Sequence, residues 1–119
     1  SQIDLFASFA QMLNARLPKG SCPDSRKHWD AIIGMDSNGC EYVVEQNLWN
    51  VLSIRTADWK YIEPSNGTSY MKLTNIETGN SPLPQLYDMN HEGEKANLAE
   101  EHHDIVEKLK GILKVEKEK

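Results

Sequence analysis

Leu52-Ser53-Ile54-Arg55-Thr56-Ala57-Asp58-Trp59-Lys60-Tyr61-Ile62 is the stretch that decides the fold. Apolar and polar residues alternate on both sides of Thr56-Ala57-Asp58, the period of a half-buried strand. β-branched and aromatic residues fill both halves, and a short polar connection between two such runs is a hairpin. The spacing predicts strands over NVLSIRT (50–56) and WKYIEP (59–64), antiparallel across the turn. Upstream, EYVVEQ (41–46) has the same pattern and predicts a further strand. Downstream, Asn66-Gly67 marks a turn, residues 70–73 are expected to return as a short strand, and QLYD (85–88) resumes as an extended segment. The Gly, Pro, Asn and Ser content of residues 74–84 predicts an irregular surface loop, and 88–93 reads as a turn.

Helices are expected at both ends. Ile105, Leu109, Ile112 and Leu113, with Val106 beside them, form a stripe at helical spacing that would cover one face of the sheet. Asn97 is expected to cap the segment that leads into this helix. At the other end, Leu5, Phe6, Phe9, Met12 and Leu13 predict an amphipathic helix over residues 2–15. Pro18, Gly20 and Pro23 break the chain, and Asp24 or Ser25 is expected to cap a second short helix carrying Trp29, Ile32 and Ile33 and ending at Gly34. The fold class is α+β: a small antiparallel sheet of about four strands with a C-terminal helix packed across it, preceded by two helices. The expected division is a helical segment over 1–35 and the sheet-and-helix unit over 36–119.

A chain of 119 residues holds one modest core. Thirteen Lys and Arg against 18 Asp and Glu leave a net charge of −5, which lacks the electrostatic footprint of a nucleic-acid binder. Lys108 to Lys119 is interleaved with Glu116 and Glu118 and reads as a solvated helix face. No apolar run reaches the length that crosses a bilayer, so no membrane partner is expected. The sequence begins at Ser1 with neither an initiator Met nor a signal-peptide pattern, which predicts a start inside a longer chain. Cys22 and Cys40 are too few for a disulfide framework and read as two unpaired, partly buried thiols, with pairing left open.

Candidate chemistry is sparse. His102 and His103 are adjacent, hence about 100° apart on a helix, and do not share a metal; His28 and His91 have no visible partner. Asp58, Asp88, Glu92 and Glu94 form an acid–base pair only in a cleft, and their turn positions predict backbone capping instead. No catalytic residue and no metal ligand is therefore expected. Trp59 and Tyr61 share a strand face and read as core. Trp49, at a strand start beside Asn50, suits stacking against a sugar or aryl group. Asn66-Gly67-Thr68 is a formal glycosylation sequon that a turn also explains.

Leu52-x-x-Arg55-x-x-Asp58-Trp59-Lys60-Tyr61-Ile62, Leu86-Tyr87-Asp88 and Glu94-x-x-Asn97-Leu98-Ala99, in that order, resemble the C-terminal end of a type I, formylglycine-dependent sulfatase or arylsulfatase. Asp4-Leu5 with its apolar run, and Glu45-Gln46, extend the resemblance over nearly the whole chain. Ala57 stands where Gly is common, and His91-Glu92 replaces a frequent Asp-Pro. Cys22-Pro23-Asp24-Ser25-Arg26 departs from the Cys-x-Pro-Ser-Arg signature, because Pro comes one place early, and is not read as the nucleophile site. The resemblance implies hydrolysis of sulfate esters of carbohydrates or aryl compounds in the periplasm or outside the cell. It implies an alkaline-phosphatase-like parent whose large N-terminal α/β domain carries the formylglycine and Ca²⁺ and packs on the two leading helices. By itself the chain would be inactive, supporting the fold and the rim of the substrate pocket through Gln46, Asn47, Trp49 and Asn50, with Arg55 and Lys60 as weaker candidates. Without the large domain, the apolar helix is expected to drive self-association through residues 2–15. Other readings are a stand-alone carbohydrate- or protein-binding module, and a fragment of a related phosphate- or phosphonate-ester hydrolase.

Overall fold

The elements in chain order are a 3₁₀ turn at Gln2–Asp4, α1 (Leu5–Met12), α2 (Trp29–Ile32), β1 (Val43–Gln46), β2 (Leu52–Arg55), β3 (Trp59–Ile62), β4 (Tyr70–Met71), β5 (Ile76–Glu77), β6 (Gln85–Asp88) and α3 (His103–Lys117). They come from a computed structural model that describes residues 1–91 and 93–119; Glu92, one of the turn carboxylates, lies outside the described residues. The chain divides into two compact units, Ser1–Glu41 and Tyr42–Lys119.

In the second unit, β1, β2, β3 and β6 form an antiparallel sheet in the order β1-β2-β3-β6. The register sets Val44, Ile54, Tyr61 and Leu86 side by side across all four strands. Because successive side chains alternate faces, this row and its second neighbours make one apolar face. Ile54, Tyr61 and Leu86 are sealed from solvent there, together with Ala99 and with Val106, Leu109 and Leu113 of α3. The α3 stripe thus covers the sheet as its spacing requires. Trp59 packs at the margin of this core and tilts against His102, with ring centroids 5.1 Å apart. Asp104 in the first turn of α3 and Lys114 and Lys117 in its last turn complement the helix dipole.

Several local expectations give way to different arrangements. Asn97 caps the segment after it as expected, its Oδ1 accepting from the Ala99 amide at 3.1 Å, but it also reaches back: the same oxygen accepts from the Leu86 amide at 3.0 Å and its Nδ2 donates to the Pro84 carbonyl at 3.1 Å. It clips the following segment to the edge of β6, where the Leu98 amide also donates to Leu86 O at 2.8 Å. His102 then takes the N-cap position of α3. The strand expected over 70–73 shortens to β4 and pairs with β5 rather than with the main sheet, so the stretch read as loop contains a strand. Asn75 at φ +55° makes that tight return, a left-handed conformation Asn tolerates well.

The first unit differs similarly. α1 is shorter than residues 2–15, because Asn14 at φ +51° turns the chain and the Ala15 amide bonds back to Ala10 O at 2.8 Å. Its buried face is the small one, Ala7, Ser8 and Ala10, whereas Leu5, Phe6, Phe9, Met12 and Leu13 are exposed. Ser25 does not cap α2: its Oγ accepts from the Ala7 amide at 3.0 Å and so caps α1 from across the loop. Ser8 Oγ donates to Asp4 O at 2.7 Å and accepts from the His28 amide at 3.0 Å. Asp4 accepts from the Arg26 amide at 2.9 Å and from the Ser1 ammonium at 3.1 Å. Burial raises the Asp4 carboxyl, but the Arg26 amide, the ammonium and the nearby His28 outweigh it and hold the group below its ordinary value of 3.8. A depressed carboxyl stabilises the fold fully above the ordinary value and loses that contribution as pH falls through its folded value. Acid titration of the first unit, followed by the fluorescence of Trp29, should therefore show a loss of stability beginning below about pH 4. In Asp4→Asn that pH dependence should flatten.

Candidate functional site

The turn between β1 and β2 carries the four residues singled out as a pocket rim. Asn47 organises it: its Oδ1 accepts from the amides of Trp49 at 2.9 Å and Val51 at 3.0 Å, and its own amide donates to Val51 O at 3.0 Å. Asn50 closes the turn at φ +60°, and its Oδ1 accepts from Gln46 Nε2 at 3.3 Å. Leu48 and Trp49 are left at the tip, 86% and 40% exposed. Exposed large apolar groups on a tightly hydrogen-bonded turn are suited to stacking on a ligand.

Beneath the turn lies Asn80, 4% exposed. Its Oδ1 accepts from Asn47 Nδ2 at 3.0 Å and from Ser65 Oγ at 3.1 Å, while its Nδ2 donates to Thr68 O at 3.1 Å. Gly67 allows this: a Cβ there would stand 2.5 Å from Asn80 Nδ2. The Asn47 side chain is thus consumed in holding the turn rather than offered to a ligand. Sequence reading missed Asn80, since it is one polar residue in a stretch that looks like loop.

Gln46 and Asn47 line an open groove of about 300 Å³ on the sheet face opposite α3, with Glu45, Ser53, Lys60, Glu77 and Glu94 among its other walls; Trp49 and Asn50 lie outside its lining. Lys60 Nζ pairs with Glu94 Oε1 at 2.5 Å. With Glu45 and Glu77 added, the groove carries more carboxylate than ammonium, which favours hydroxyl donors and disfavours an anion. Arg55 is exposed beside it in the register of β2 with β3. A larger cleft of about 720 Å³ lies on the α3 side, and its charged walls pair internally: Lys117 with Glu63 at 2.7 Å and Lys110 with Glu107 at 3.1 Å.

Of the described turn carboxylates, Asp88 caps its turn through a backbone amide as expected, whereas Asp58 meets a side-chain amide and Glu94 pairs with Lys60. Asp88 Oδ1 accepts from the Asn90 amide at 2.8 Å, and Asp58 Oδ1 from Asn90 Nδ2 at 2.8 Å. The Asn90 amide, outweighing some burial and helped by His91 at 2.8 Å, holds the Asp88 carboxyl below its ordinary value. In the first unit, His28, left without a partner by the sequence, has Nε2 3.1 Å from Cys40 Sγ. The donor atoms of Asp4, His28 and Cys40 all lie within 4.8 Å of one another.

No protein-family model matches the chain. An N-acetylgalactosamine-6-O-sulfatase of Bacteroides thetaiotaomicron is 44% identical over 114 residues, covering 95% of this chain. The chain matches one segment of a sulfatase. It spans 22% of that relative's length. A solved structure described under glycosaminoglycan metabolism by the same organism superposes on the whole chain with TM-score 0.96 and 42% identity, and the chain covers 25% of it. The α+β architecture of the chain, with its four-stranded sheet, C-terminal helix and leading helices, is thus that of the matching part of the solved relative.

Proposed function

We propose that these residues are the C-terminal subdomain of a sulfatase that hydrolyses sulfate esters of carbohydrates, with residues 1–35 as the end of its large domain and 36–119 as the subdomain proper. The supporting observation is 44% identity across 95% of the chain to an enzyme of which the chain spans only 22%. A 6-O-sulfated N-acetylgalactosamine, as in glycosaminoglycans, is the first substrate to test, ahead of aryl sulfates. By this reading the protein is periplasmic or secreted; among the described residues, no helix is long and apolar enough to cross a membrane.

The formylglycine and Ca²⁺ of the family are assigned to the large domain. Ca²⁺ takes an all-oxygen shell, and the cluster of potential ligands among the described residues contains a thiol and an imidazole instead. Cys22 is half-buried at a surface turn, its Sγ 3.8 Å from Ser21 Oγ. The donor sets present do not fit either group, so the segment alone is expected to be inactive. Its part is the rim: Trp49 and Leu48 stack on the sugar, Gln46 and Asn50 supply amide groups, and Asn47 holds the turn. The carboxylate-rich groove accepts hydrogen bonds from sugar hydroxyls while the sulfate is directed away from it.

The exposed Leu5, Phe6, Phe9 and Met12 face is the surface on which the large domain would sit. In the isolated chain it is expected to drive self-association: sedimentation should show dimers or larger species, and Phe6→Asp with Phe9→Asp should return a monomer. The function is tested by capturing the native protein from its source with an antibody to this segment and measuring its intact mass. A polypeptide several times heavier than 13.5 kDa, with a formylglycine peptide and activity on the 6-sulfated sugar, is the expected result. A native species near 13.5 kDa overturns it.

A further inference from the structure

We propose that Asp4, His28 and Cys40 form a zinc-binding site, a proposal independent of the sulfatase reading and of any Ca²⁺ in a large domain. A thiol sulfur, an imidazole nitrogen and a carboxylate oxygen converge with all donor atoms within 4.8 Å of one another, and His28 Nε2 and Cys40 Sγ are 3.1 Å apart. Around tetrahedral Zn²⁺, with bonds of about 2.0 Å to nitrogen and oxygen and about 2.3 Å to sulfur, ligand atoms stand roughly 3.3–3.7 Å apart. Small side-chain adjustments bring the three donors to that spacing.

The donors come from separated parts of the first unit, and the backbone holds two of them together. Asp4 ends the 3₁₀ turn that leads into α1, and His28 is the N-cap residue of α2. Ser8 Oγ bridges them, donating to Asp4 O at 2.7 Å and accepting from the His28 amide at 3.0 Å. One Asp4 oxygen is oriented by the Arg26 amide at 2.9 Å. The other accepts from the Ser1 ammonium at 3.1 Å, a contact the cation would replace. Cys40 arrives just after the turn at Gly39, whose φ of +61° suits glycine. Asp4 is buried, and His28 and Cys40 are half-buried, so an ion reaches the site and is then shielded on one side.

The donor mixture selects the ion. Sulfur is a poor ligand for Ca²⁺ and Mg²⁺, whereas Zn²⁺ takes sulfur, nitrogen and oxygen together. On binding, the Cys40 S–H bond breaks, its proton leaves to water, and the sulfur lone pair forms the bond to zinc; the neutral imidazole gives its Nε2 lone pair. The fourth position is left for a water molecule.

The test is Co²⁺ titration of the metal-free 119-residue chain, reduced with a phosphine. The expected result is one equivalent bound with a thiolate-to-cobalt charge-transfer band, displaced by Zn²⁺. Cys40→Ser should abolish the band and weaken Zn²⁺ binding by at least about tenfold, His28→Gln should weaken it similarly, and Cys22→Ser should leave both unchanged. Far-UV circular dichroism checks that each variant folds. A readout that needs no variant is alkylation of the wild-type thiols: Zn²⁺ should protect Cys40 and leave Cys22 reacting at its metal-free rate. Absence of the band in wild type, its survival in Cys40→Ser, or equal protection of both thiols overturns the proposal.

Discussion

Leu113→Ala should remove about 3 kcal/mol from the stability of the Tyr42–Lys119 unit. Leu113 has no exposed surface and closes the core against Ile54, Tyr61 and Leu86. Truncation loses the transfer free energy of the removed methyl groups and leaves a cavity that a helix packed on a sheet fills poorly. A unit of this size holds roughly 4–12 kcal/mol in all, so the midpoint of thermal unfolding should fall by about 12–24 °C. Leu113→Met, which keeps the volume, should cost less than about 1.5 kcal/mol. Leu83→Ala, at a position 61% exposed, should stay within about 0.5 kcal/mol. A loss below about 1 kcal/mol for Leu113→Ala would mean that α3 does not seal this face of the sheet.

Asn80→Ala should have the next largest effect, about 2–3 kcal/mol, and should reach the rim as well as the core. The change strips the acceptor from Asn47 Nδ2 and Ser65 Oγ and one of the two donors from Thr68 O, around a side chain that is itself 4% exposed. Polar groups that lose their partner where water has restricted access cost part of their desolvation, and the lost side chain leaves a cavity as well. Asn80→Asp keeps the acceptor but sets a carboxylate oxygen against Thr68 O, so it should not rescue. Hydrogen exchange of residues 47–51 should accelerate in both variants. Trp49→Ala offers the contrast: stability within about 0.5 kcal/mol of wild type, because the ring makes the tip and not the core, with KM for a sulfated sugar raised in the whole enzyme. If Trp49→Ala left KM unchanged while Asn80→Ala raised it, the rim would act through turn geometry rather than through the indole.

The hairpin and the α3 stripe were legible because both are periodic, and period is what a sequence displays directly. Ile54, Tyr61 and Leu86 fall on one face by alternation alone, and Leu109 and Leu113 face them by helical spacing. The features that escaped were fixed by single side chains acting across sequence distance. Ser25 caps a helix eighteen residues earlier, and Asn97 secures a strand eleven residues earlier, whereas cap rules look only to the next residues. The proposed rim follows the same division. Its turn between two strands was visible, but the buried amide that supports Asn47 stands thirty-three residues away. The contact of His28 with Cys40 has no spacing signature, since it depends on two loops folding back on α1.

β3 and β6 are hydrogen-bonded neighbours, yet residues 63–84 leave the sheet between them and return. Closing such an excursion costs free energy that grows only with the logarithm of its length, about 0.6 kcal/mol per doubling. The same excursion supplies Asn80 beneath the rim turn and Glu77 and Gly79 to the wall of the groove. Insertions and deletions there would reshape what the rim meets while the row of Ile54, Tyr61 and Leu86 keeps its register. On the proposed rim reading, ligand preference would fall on the stretch whose length the core tolerates changing, so that recognition could be retuned without rebuilding the scaffold.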